Sequence, residues 1–247
     1  MTIQPTRHIV AMGGGGFSME PDNPLLDDYV LSRTGKARPR VCFVPTASGD
    51  AEGYVDKFRA AFGPQRAEAR VLTLFRAGEV AGDKRAFLLD HDVIYVGGGS
   101  TVNLLAVWRV HGIDKAMREA WERGIILAGI SAGMNCWFES SVTDSFGGRP
   151  APLRDGLGLL PGSACPHYDG EPERRPAYRR LVADGTLPAG YAADDGAALH
   201  FVGTELVAVV SSRPHARAYH VENDGGETRE IPLPVRYLEE RSEARGA

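Results

Sequence analysis

Long apolar runs, paired cysteines and a surplus of basic residues are all missing from this sequence. Its 247 residues contain no run of about 18 apolar residues, so we expect neither a transmembrane helix nor contact with a membrane. Residues 1–16 hold no apolar stretch of signal-peptide length, which favours a cytoplasmic protein. The three cysteines, Cys42, Cys136 and Cys165, are widely spaced and form no C-x-x-C pair, so we expect buried thiols, no disulfide framework and no metal site.

The charge balance is mildly acidic. The 28 lysines and arginines are outnumbered by 32 aspartates and glutamates, which gives a net charge of −4 and argues against a nucleic-acid partner. Apolar residues make up 43% of the chain, enough for a sizeable core. We find no linker or repeat, so we expect one domain over residues 1–240 and a frayed tail at 241–247.

Short apolar runs alternate with segments of helical length through the first 140 residues. Such alternation predicts βαβ units and an α/β fold with a mostly parallel sheet, whose strands are apolar throughout because both faces are buried. After Ser140 the chain is rich in glycine and proline, and we expect a strand-rich C-terminal third with one short helix. The predicted strands of the first part lie at residues 8–12, 40–45, 69–75, 92–96 and 124–130.

Two glycine-rich loops follow predicted strands, at residues 13–16 and 97–99. Neither completes a phosphate-binding pattern; in the first, Ser18 stands where the dinucleotide fingerprint needs its third glycine. We therefore expect no nucleotide cofactor. Loops at the carboxyl ends of parallel strands converge on the ligand crevice, where the N–H groups of Gly98 and Gly99 could hold a developing oxyanion.

The segment Gly129-Ile130-Ser131-Ala132-Gly133 has the G-x-S-x-G pattern of a nucleophile elbow. The residues two before and two after the serine must be small, because strand and helix pass close to each other there. The pattern predicts Ser131 as a nucleophile and the Ala132 N–H as an oxyanion donor. The alternative is a serine that simply caps the following helix.

A serine nucleophile needs a base and a carboxylate that orients the base. Among the seven histidines, His167 has the most suitable setting, a loop after the elbow helix flanked by Pro166 and Gly170. The sequence alone does not choose the carboxylate. The candidates are Glu139, Asp144, Asp155, Asp169, Asp194 and Asp195.

The motifs GGGST, GISAGMN, CPHYDG and ADDGAAL occur in this order, and with them the chain resembles the peptidase E family of serine peptidases, which includes aspartyl dipeptidases and, more distantly, cyanophycinases. The resemblance covers residues 8–210 and implies a flavodoxin-like three-layer sandwich. It also implies Ser131 as nucleophile, His167 as base, Asp144 as their carboxylate, and Gly98 and Ala132 as oxyanion donors. Glu139 and Asp195 remain alternatives to Asp144.

The resemblance has consequences for the substrate. Aspartyl dipeptidases need a cation for the acidic side chain, and Arg174 is the best positional match, with Arg175 next. The family's Gly-Gly-Gly-Asn motif ends here in Ser100, a candidate substrate contact that lacks the amide. The leading hypothesis is therefore a cofactor-independent serine peptidase for short peptides, with Asp-X dipeptides as the default substrate.

Two alternatives and one open question remain. An α/β-hydrolase esterase would share the elbow but take its histidine late in the chain, at His200, His215 or His220. A non-catalytic binding domain of the amidotransferase-like fold would need no base at all. Both a monomer and a homodimer are compatible with the sequence.

Overall fold

The computed structural model describes residues 5–76 and 82–239, so the predicted tail lies outside the described residues. The strands in these ranges are β1 His8–Met12, β2 Arg40–Val44, β3 Glu68–Val71, β4 Val93–Val96, β5 Ile126–Ile130, β6 Phe138–Thr143, β7 Ala151–Leu153, β8 Leu160–Cys165, β9 Gly190–Ala193, β10 Ala197–Val202, β11 Glu205–Ser211, β12 Ala218–Asp224, β13 Glu227–Pro232 and β14 Arg236–Tyr237.

The helices separate the early strands, as the alternation predicted. They are α1 Gly16–Met19, α2 Leu25–Ser32, α3 Glu52–Ala61, α4 Lys84–Leu89, α5 Thr101–His111, α6 Ile113–Glu122, α7 Ala132–Asn135 and α8 Arg174–Ala183. No helix in the described ranges is long and apolar enough to cross a membrane. All three cysteines are buried.

The central sheet has the strand order β14-β11-β10-β1-β5-β4-β2-β3. The five strands from β1 to β3 in this order are mutually parallel, whereas β10 runs antiparallel to β1 and to β11. β1, β5 and β4 therefore end, and β10 begins, at one edge of the sheet. That edge carries the candidate site.

Alternate residues of the parallel strands enter two separate cores. In β4, Ile94 and Val96 pack into one core, while Val93 and Tyr95 pack into the other. Helix α6 covers the first face with apolar residues at helical spacing, and the second face is covered by residues of α2 and α3. The result is the expected flavodoxin-like three-layer α/β sandwich.

The C-terminal third is more regular than the sequence indicated. β6 to β9, β12 and β13 form a second sheet in the order β13-β12-β9-β8-β6-β7, and α8 packs on it through Tyr178, Leu181 and Val182. Glycine and proline in this region indicated loop or short strand. They are compatible with strands here because the segments pair across long sequence separations, which local propensity does not reveal.

A buried carboxyl lies beneath the first glycine loop. Asp27 of α2 is 1% exposed and accepts a hydrogen bond of 2.8 Å from the Tyr95 hydroxyl. A Cβ placed on Gly16 would lie 3.0 Å from the same Asp27 oxygen, so the loop has no room for a side chain at this point. Burial raises the pKa of Asp27 from 3.8 to about 6, against the lowering effect of Tyr95.

This raised pKa predicts how stability depends on pH. An acid whose pKa is higher in the folded state binds a proton on folding between the two values, so its contribution to the free energy of unfolding falls as pH rises from 3.8 to about 6. Asp27→Asn keeps an acceptor for Tyr95 without the charge. We expect urea denaturation to show that the variant gains about 1 kcal/mol over the wild type on going from pH 5 to pH 8.

The matched control is Asp28→Asn on the same helix, where the carboxylate is 57% exposed and pairs with Arg66. It should show no such gain. Equal stability differences at pH 5 and pH 8 for Asp27→Asn would contradict the assignment of a raised pKa.

Candidate active site

Ser131 lies at the carboxyl end of β5 in a strained backbone conformation. Its φ and ψ angles are 57° and −108°, outside the regions that a non-glycine residue normally adopts. The residue stands at the N-cap position of α7, yet its side chain makes no capping hydrogen bond. The cap interpretation therefore does not account for this serine, and its hydroxyl is left for another role.

The two glycines of the elbow are required by close backbone contact. A Cβ on Gly129 would lie 2.3 Å from the Gly133 carbonyl oxygen, and one on Gly133 would lie 2.4 Å from the carbonyl oxygen of Val96. Strand β5, helix α7 and the end of β4 thus meet without space for side chains. This is the crowding that the G-x-S-x-G spacing predicted.

His167 comes from the second sheet, in the loop after β8. Its φ is 53°, and its imidazole is 14% exposed. Nδ1 lies 2.6 Å from Oδ1 of Asp195. Because an ionised carboxylate can only accept, Nδ1 carries the proton in this pair and Nε2 is left as the base.

Asp195 occupies the turn between β9 of the second sheet and β10 of the central sheet. The His167 loop holds it at two points, because the Asp195 N–H donates to the Asp169 carboxylate over 2.8 Å while its own carboxylate accepts from the imidazole. Neighbouring Asp194 accepts from the Arg217 N–H, and burial raises the pKa of Asp194 to about 6.

The structure does not bring Asp144 to His167. Asp144 lies 3.4 Å from the Arg174 guanidinium, and Glu139, the other alternative, accepts from the Gly162 N–H. The sequence placed Asp144 by its order after the elbow helix. Asp195, the remaining alternative, is the carboxylate at the imidazole because the turn between the two sheets carries it there.

Arg174 is not available as a substrate cation. Its side chain is 4% exposed, and its donors are taken by Glu171 at 2.5 Å and the Val142 carbonyl at 3.2 Å in addition to Asp144. The neighbouring Arg175 is paired through two nitrogens with Glu230. Both arginines thus connect α8 to other elements.

The end of β1 joins the three segments. Ser131 N–H donates to the Met12 carbonyl over 3.0 Å, and His167 N–H donates to the Gly13 carbonyl over 3.2 Å. The residue after Asp195, Gly196, donates its N–H to the Gly14 carbonyl over 3.1 Å. Sequence reasoning assigned no role to these first two glycines beyond a tight turn.

Space explains why these positions are glycine. A Cβ on Gly14 would lie 2.1 Å from Oδ1 of Asp195 and 3.1 Å from Nδ1 of His167. One on Gly13 would lie 2.4 Å from the Ala193 carbonyl oxygen. The first glycine loop is therefore filled by the histidine–aspartate pair, and no phosphate-binding role is needed to explain it.

The predicted oxyanion donors lie around Ser131 but differ in availability. Ala132 is the first residue of α7, so its N–H has no acceptor within the helix. Gly98 is adjacent to the serine, since a Cβ on it would lie 3.8 Å from Ser131 Oγ, yet its N–H donates to the Tyr54 hydroxyl over 3.1 Å. Among the described residues, the Gly99 N–H has no acceptor.

The residues around Gly99 fix this turn. Its φ is 134°, and a Cβ would lie 2.2 Å from the Ala47 carbonyl oxygen. The Ser100 N–H donates to that same carbonyl, and the Ser100 hydroxyl accepts from the Asn103 N–H as the N-cap of α5. The Ser100 hydroxyl therefore caps α5. Its predicted contact with substrate is a separate hypothesis. The role of Tyr54 was missed because no local pattern marks it.

The late histidine of the esterase alternative is engaged elsewhere. His200 is hydrogen-bonded through its two ring nitrogens to His8 at 2.9 Å and to the Tyr29 hydroxyl at 2.7 Å. Burial lowers the pKa of His200 to about 4, which keeps the imidazole neutral at pH 7. The other two late candidates, His215 and His220, come after β10 in the chain. Among the described residues, neither of them contacts Asp195.

The family comparison agrees with the arrangement of Ser131, His167 and the two glycine loops. The model of peptidase family S51 matches residues 9–209, which include all of these positions. The chain belongs to peptidase family S51. The resemblance to the peptidase E family of serine peptidases, which four motifs indicated, is thereby confirmed.

Relatives of this S51 chain include two informative proteins. This chain is 53% identical over 232 residues to the uncharacterized peptidase YgaJ of Bacillus subtilis, and the match covers 94% of this chain and 99% of that protein. It is 31% identical over 196 residues to peptidase E of Pasteurella multocida, covering 74% of this chain and 78% of that protein.

Two solved structures share the fold. A peptidase from an acI-B1 Actinobacterium matches with a TM-score of 0.70 at 18% identity, over 95% of this chain and 98% of the other. A putative peptidase E protein from Listeria monocytogenes matches with a TM-score of 0.59 at 22% identity, over 82% and 97%. Both matches support the α/β architecture.

The position of Asp195 leads to a direct comparison of two carboxylates. Asp195→Asn should lower kcat for peptide hydrolysis by about 10³-fold or more, because an amide cannot stabilise the imidazolium and favours the wrong tautomer. Asp144→Asn should leave kcat within about threefold, because the half-exposed Asp144 carboxylate contacts Arg174 at 3.4 Å and not His167. Steady-state kinetics with one peptide substrate measures kcat for both variants. A larger loss of kcat in Asp144→Asn than in Asp195→Asn would reverse the assignment of the carboxylate.

The crowding at Gly14 predicts that adding one methyl group at this position lowers kcat. Gly14→Ala should displace the Asp195 carboxylate and lower kcat by about 100-fold, because small misplacements in an active site are costly. Gly53→Ala, on α3 with nothing within 4 Å of the new Cβ, is the matched control and should keep full activity. Wild-type kcat in folded Gly14→Ala protein would show that the contact has no consequence.

Proposed function

We propose that this S51 member is a serine peptidase that hydrolyses short peptides through an acyl-enzyme on Ser131. The observation that carries the proposal is the joint anchoring of Ser131, His167 and the Asp195 turn on three successive residues, Met12 at the end of β1 and the two glycines that follow it. A structural serine would need neither the strained backbone nor a histidine–aspartate pair beside it. Membership of family S51 supports the reaction class.

In the proposed mechanism, Ser131 Oγ attacks the scissile carbonyl carbon while His167 Nε2 takes its proton. Asp195 accepts the hydrogen bond from Nδ1 and stabilises the imidazolium that forms. The imidazolium then gives its proton to the leaving amine, and the C–N bond breaks. In the second half, His167 removes a proton from water as the water oxygen attacks the acyl carbon. The imidazolium then returns this proton to Ser131 Oγ while the ester C–O bond breaks, which releases the acid and restores the free enzyme.

The tetrahedral oxyanion needs two donors about 3 Å away. We assign these to the Ala132 N–H at the start of α7 and to the turn at residues 98–99. Within that turn Gly99 has the unpaired N–H, whereas the N–H of Gly98 is held by Tyr54. Donation by Gly98 would require the Tyr54 hydroxyl to give up its hydrogen bond.

A preference for Asp-X dipeptides is the finer hypothesis. The family resemblance implies it, and relatives named peptidase E accord with it. The specific cation expected for it, Arg174, is buried and paired with Glu171 and Asp144. The substrate class we propose is therefore short peptides, with Asp-X tested against neutral dipeptides rather than assumed.

The test combines hydrolysis with covalent labelling. Wild-type protein should cleave at least some members of a dipeptide and p-nitroanilide panel and should react with a fluorophosphonate at Ser131, located by peptide mass spectrometry. Ser131→Ala should lose both activities, a fall in kcat of about 10⁴-fold or more, while its thermal unfolding stays unchanged.

The opposing result is equally clear. A protein that cleaves nothing and is not labelled at Ser131 would be a binding domain of the same fold, the non-catalytic alternative. Cleavage that persists in Ser131→Ala would remove the serine from the mechanism. His167→Ala compared with His220→Ala separates the peptidase from the esterase hypothesis, since only the first should abolish turnover.

A further inference from the structure

Arg213 lies beside the histidine–aspartate pair, although no motif drew attention to it. It follows β11, which ends at the same sheet edge as β1 and β5. Its side chain lies over Gly196, where a Cβ would be 2.8 Å from Arg213 Cγ and 3.1 Å from Nε. Gly196 directly follows Asp195, and its N–H donates to the Gly14 carbonyl, so Arg213 packs on the residue next to Asp195.

The guanidinium of Arg213 is oriented but only partly used. Nε donates to Oε1 of Glu20 over 2.7 Å, and the other Glu20 oxygen accepts from the Ser212 hydroxyl over 2.7 Å. Among the described residues, the two terminal nitrogens of Arg213 have no acceptor, and the side chain is 40% exposed. A planar fork with four unused N–H donors is thus held at the rim of the site.

The contrast with Arg174 is informative. Arg174 is 4% exposed and has partners for all three of its nitrogens, in Glu171, Val142 and Asp144. Within the described ranges, Arg213 has Glu20 as its one hydrogen-bond partner, and Glu20 is the main reason that its pKa is raised. Of these two arginines, only Arg213 can take a further anion without losing an existing partner.

The strand order shows which half of a substrate Arg213 would meet. Along the sheet edge, the Gly99 turn follows β4, Ser131 follows β5, Gly14 follows β1, Asp195 precedes β10 and Arg213 follows β11. The Gly99 turn and Arg213 therefore lie on opposite sides of the serine. The histidine must protonate the leaving amine, so the leaving group lies on the His167 side.

Distance and chemistry agree with this placement. Strands β5 and β11 are three strand spacings apart, about 14 Å, which an arginine side chain and one amino-acid residue together can bridge. When a dipeptide is cleaved, its leaving group is an amino acid with a free α-carboxylate. A carboxylate is the planar anion that a guanidinium fork binds through two parallel hydrogen bonds.

We propose that Arg213 binds the free α-carboxylate of the leaving amino acid, so that the enzyme selects peptides with a single residue after the scissile bond. The proposal rests on the serine peptidase mechanism given above. Glu20 orients the fork through Nε, and the terminal nitrogens face the carboxylate. A C-terminal amide or a longer peptide would leave these donors unmatched.

The test compares acids with amides. Asp-Leu and Ala-Leu are each assayed against their C-terminal amides, and wild-type kcat/KM should favour the acid by about tenfold or more. Arg213→Gln should raise KM for the acid by about tenfold at little cost in kcat, which brings the acid-to-amide ratio close to one. Arg213→Lys should recover part of the preference.

The matched control is Arg217→Gln, because the Arg217 guanidinium donates to the main-chain carbonyls of Pro214 and Ala216 and should not affect the ratio. Calorimetry in a Ser131→Ala background gives a readout without turnover. Binding of Ala-Leu, but not of its amide, should weaken about tenfold when Arg213→Gln is added.

The possible outcomes separate the two proposals. Hydrolysis by the wild type with an acid-to-amide ratio that Arg213→Gln leaves unchanged overturns the role of Arg213 alone. Absence of hydrolysis, together with carboxylate-dependent binding that Arg213→Gln abolishes, overturns the peptidase mechanism and keeps the binding site. If the wild-type protein neither hydrolyses nor binds the dipeptides, both proposals are overturned.

Discussion

Three successive carbonyl groups at the end of β1 fix the geometry of the site. Met12, Gly13 and Gly14 accept the N–H groups of Ser131, His167 and Gly196, which belong to three separate loops. These bonds are main chain to main chain, so the relative placement of Ser131, His167 and Asp195 is set by the register of the fold and not by long side chains. Both sheets depend on this point, because the serine comes from the central sheet and the histidine from the second.

The same bonds compensate a local cost. Ser131 and His167 both have positive φ, 57° and 53°, and such conformations cost about 1–3 kcal/mol each and persist only where the surrounding structure imposes them. The hydrogen bonds to β1 impose them, and glycine at positions 13 and 14 makes the close approach possible, since any Cβ there would overlap Ala193 or Asp195. Strain, glycine and hydrogen bonds are therefore parts of one arrangement that holds the imidazole beside the carboxylate.

The sequence predicted the features that depend on neighbouring residues and missed those that depend on contacts between residues far apart in the chain. Ser131 is recognisable because strand, small residues and helix are contiguous, and the apolar runs predicted the parallel sheet in the same way. Asp195 could be recognised only as one candidate among several, because it reaches His167 through a crossing from the second sheet to the central one. The pairing of Arg174 with Asp144 and Glu171 was hidden for the same reason: proximity along the chain says nothing about which charges have already found partners across it.

Asp144 and Arg174 instead explain how the two halves of the molecule are connected. Arg174, at the start of α8, holds the end of β6 through the Val142 carbonyl and Asp144. The next residue, Ser145, accepts the Thr101 N–H at the start of α5, immediately after the turn that carries the oxyanion donors. The pair thus links the second sheet to the turn at residues 98–99, while the Asp195 turn links it to the loop after β1. Arg174 suits the first task because it is buried and all three of its nitrogens have partners. The proposed role of Arg213 in recognition depends on the opposite condition, because among the described residues its two terminal nitrogens have no acceptor.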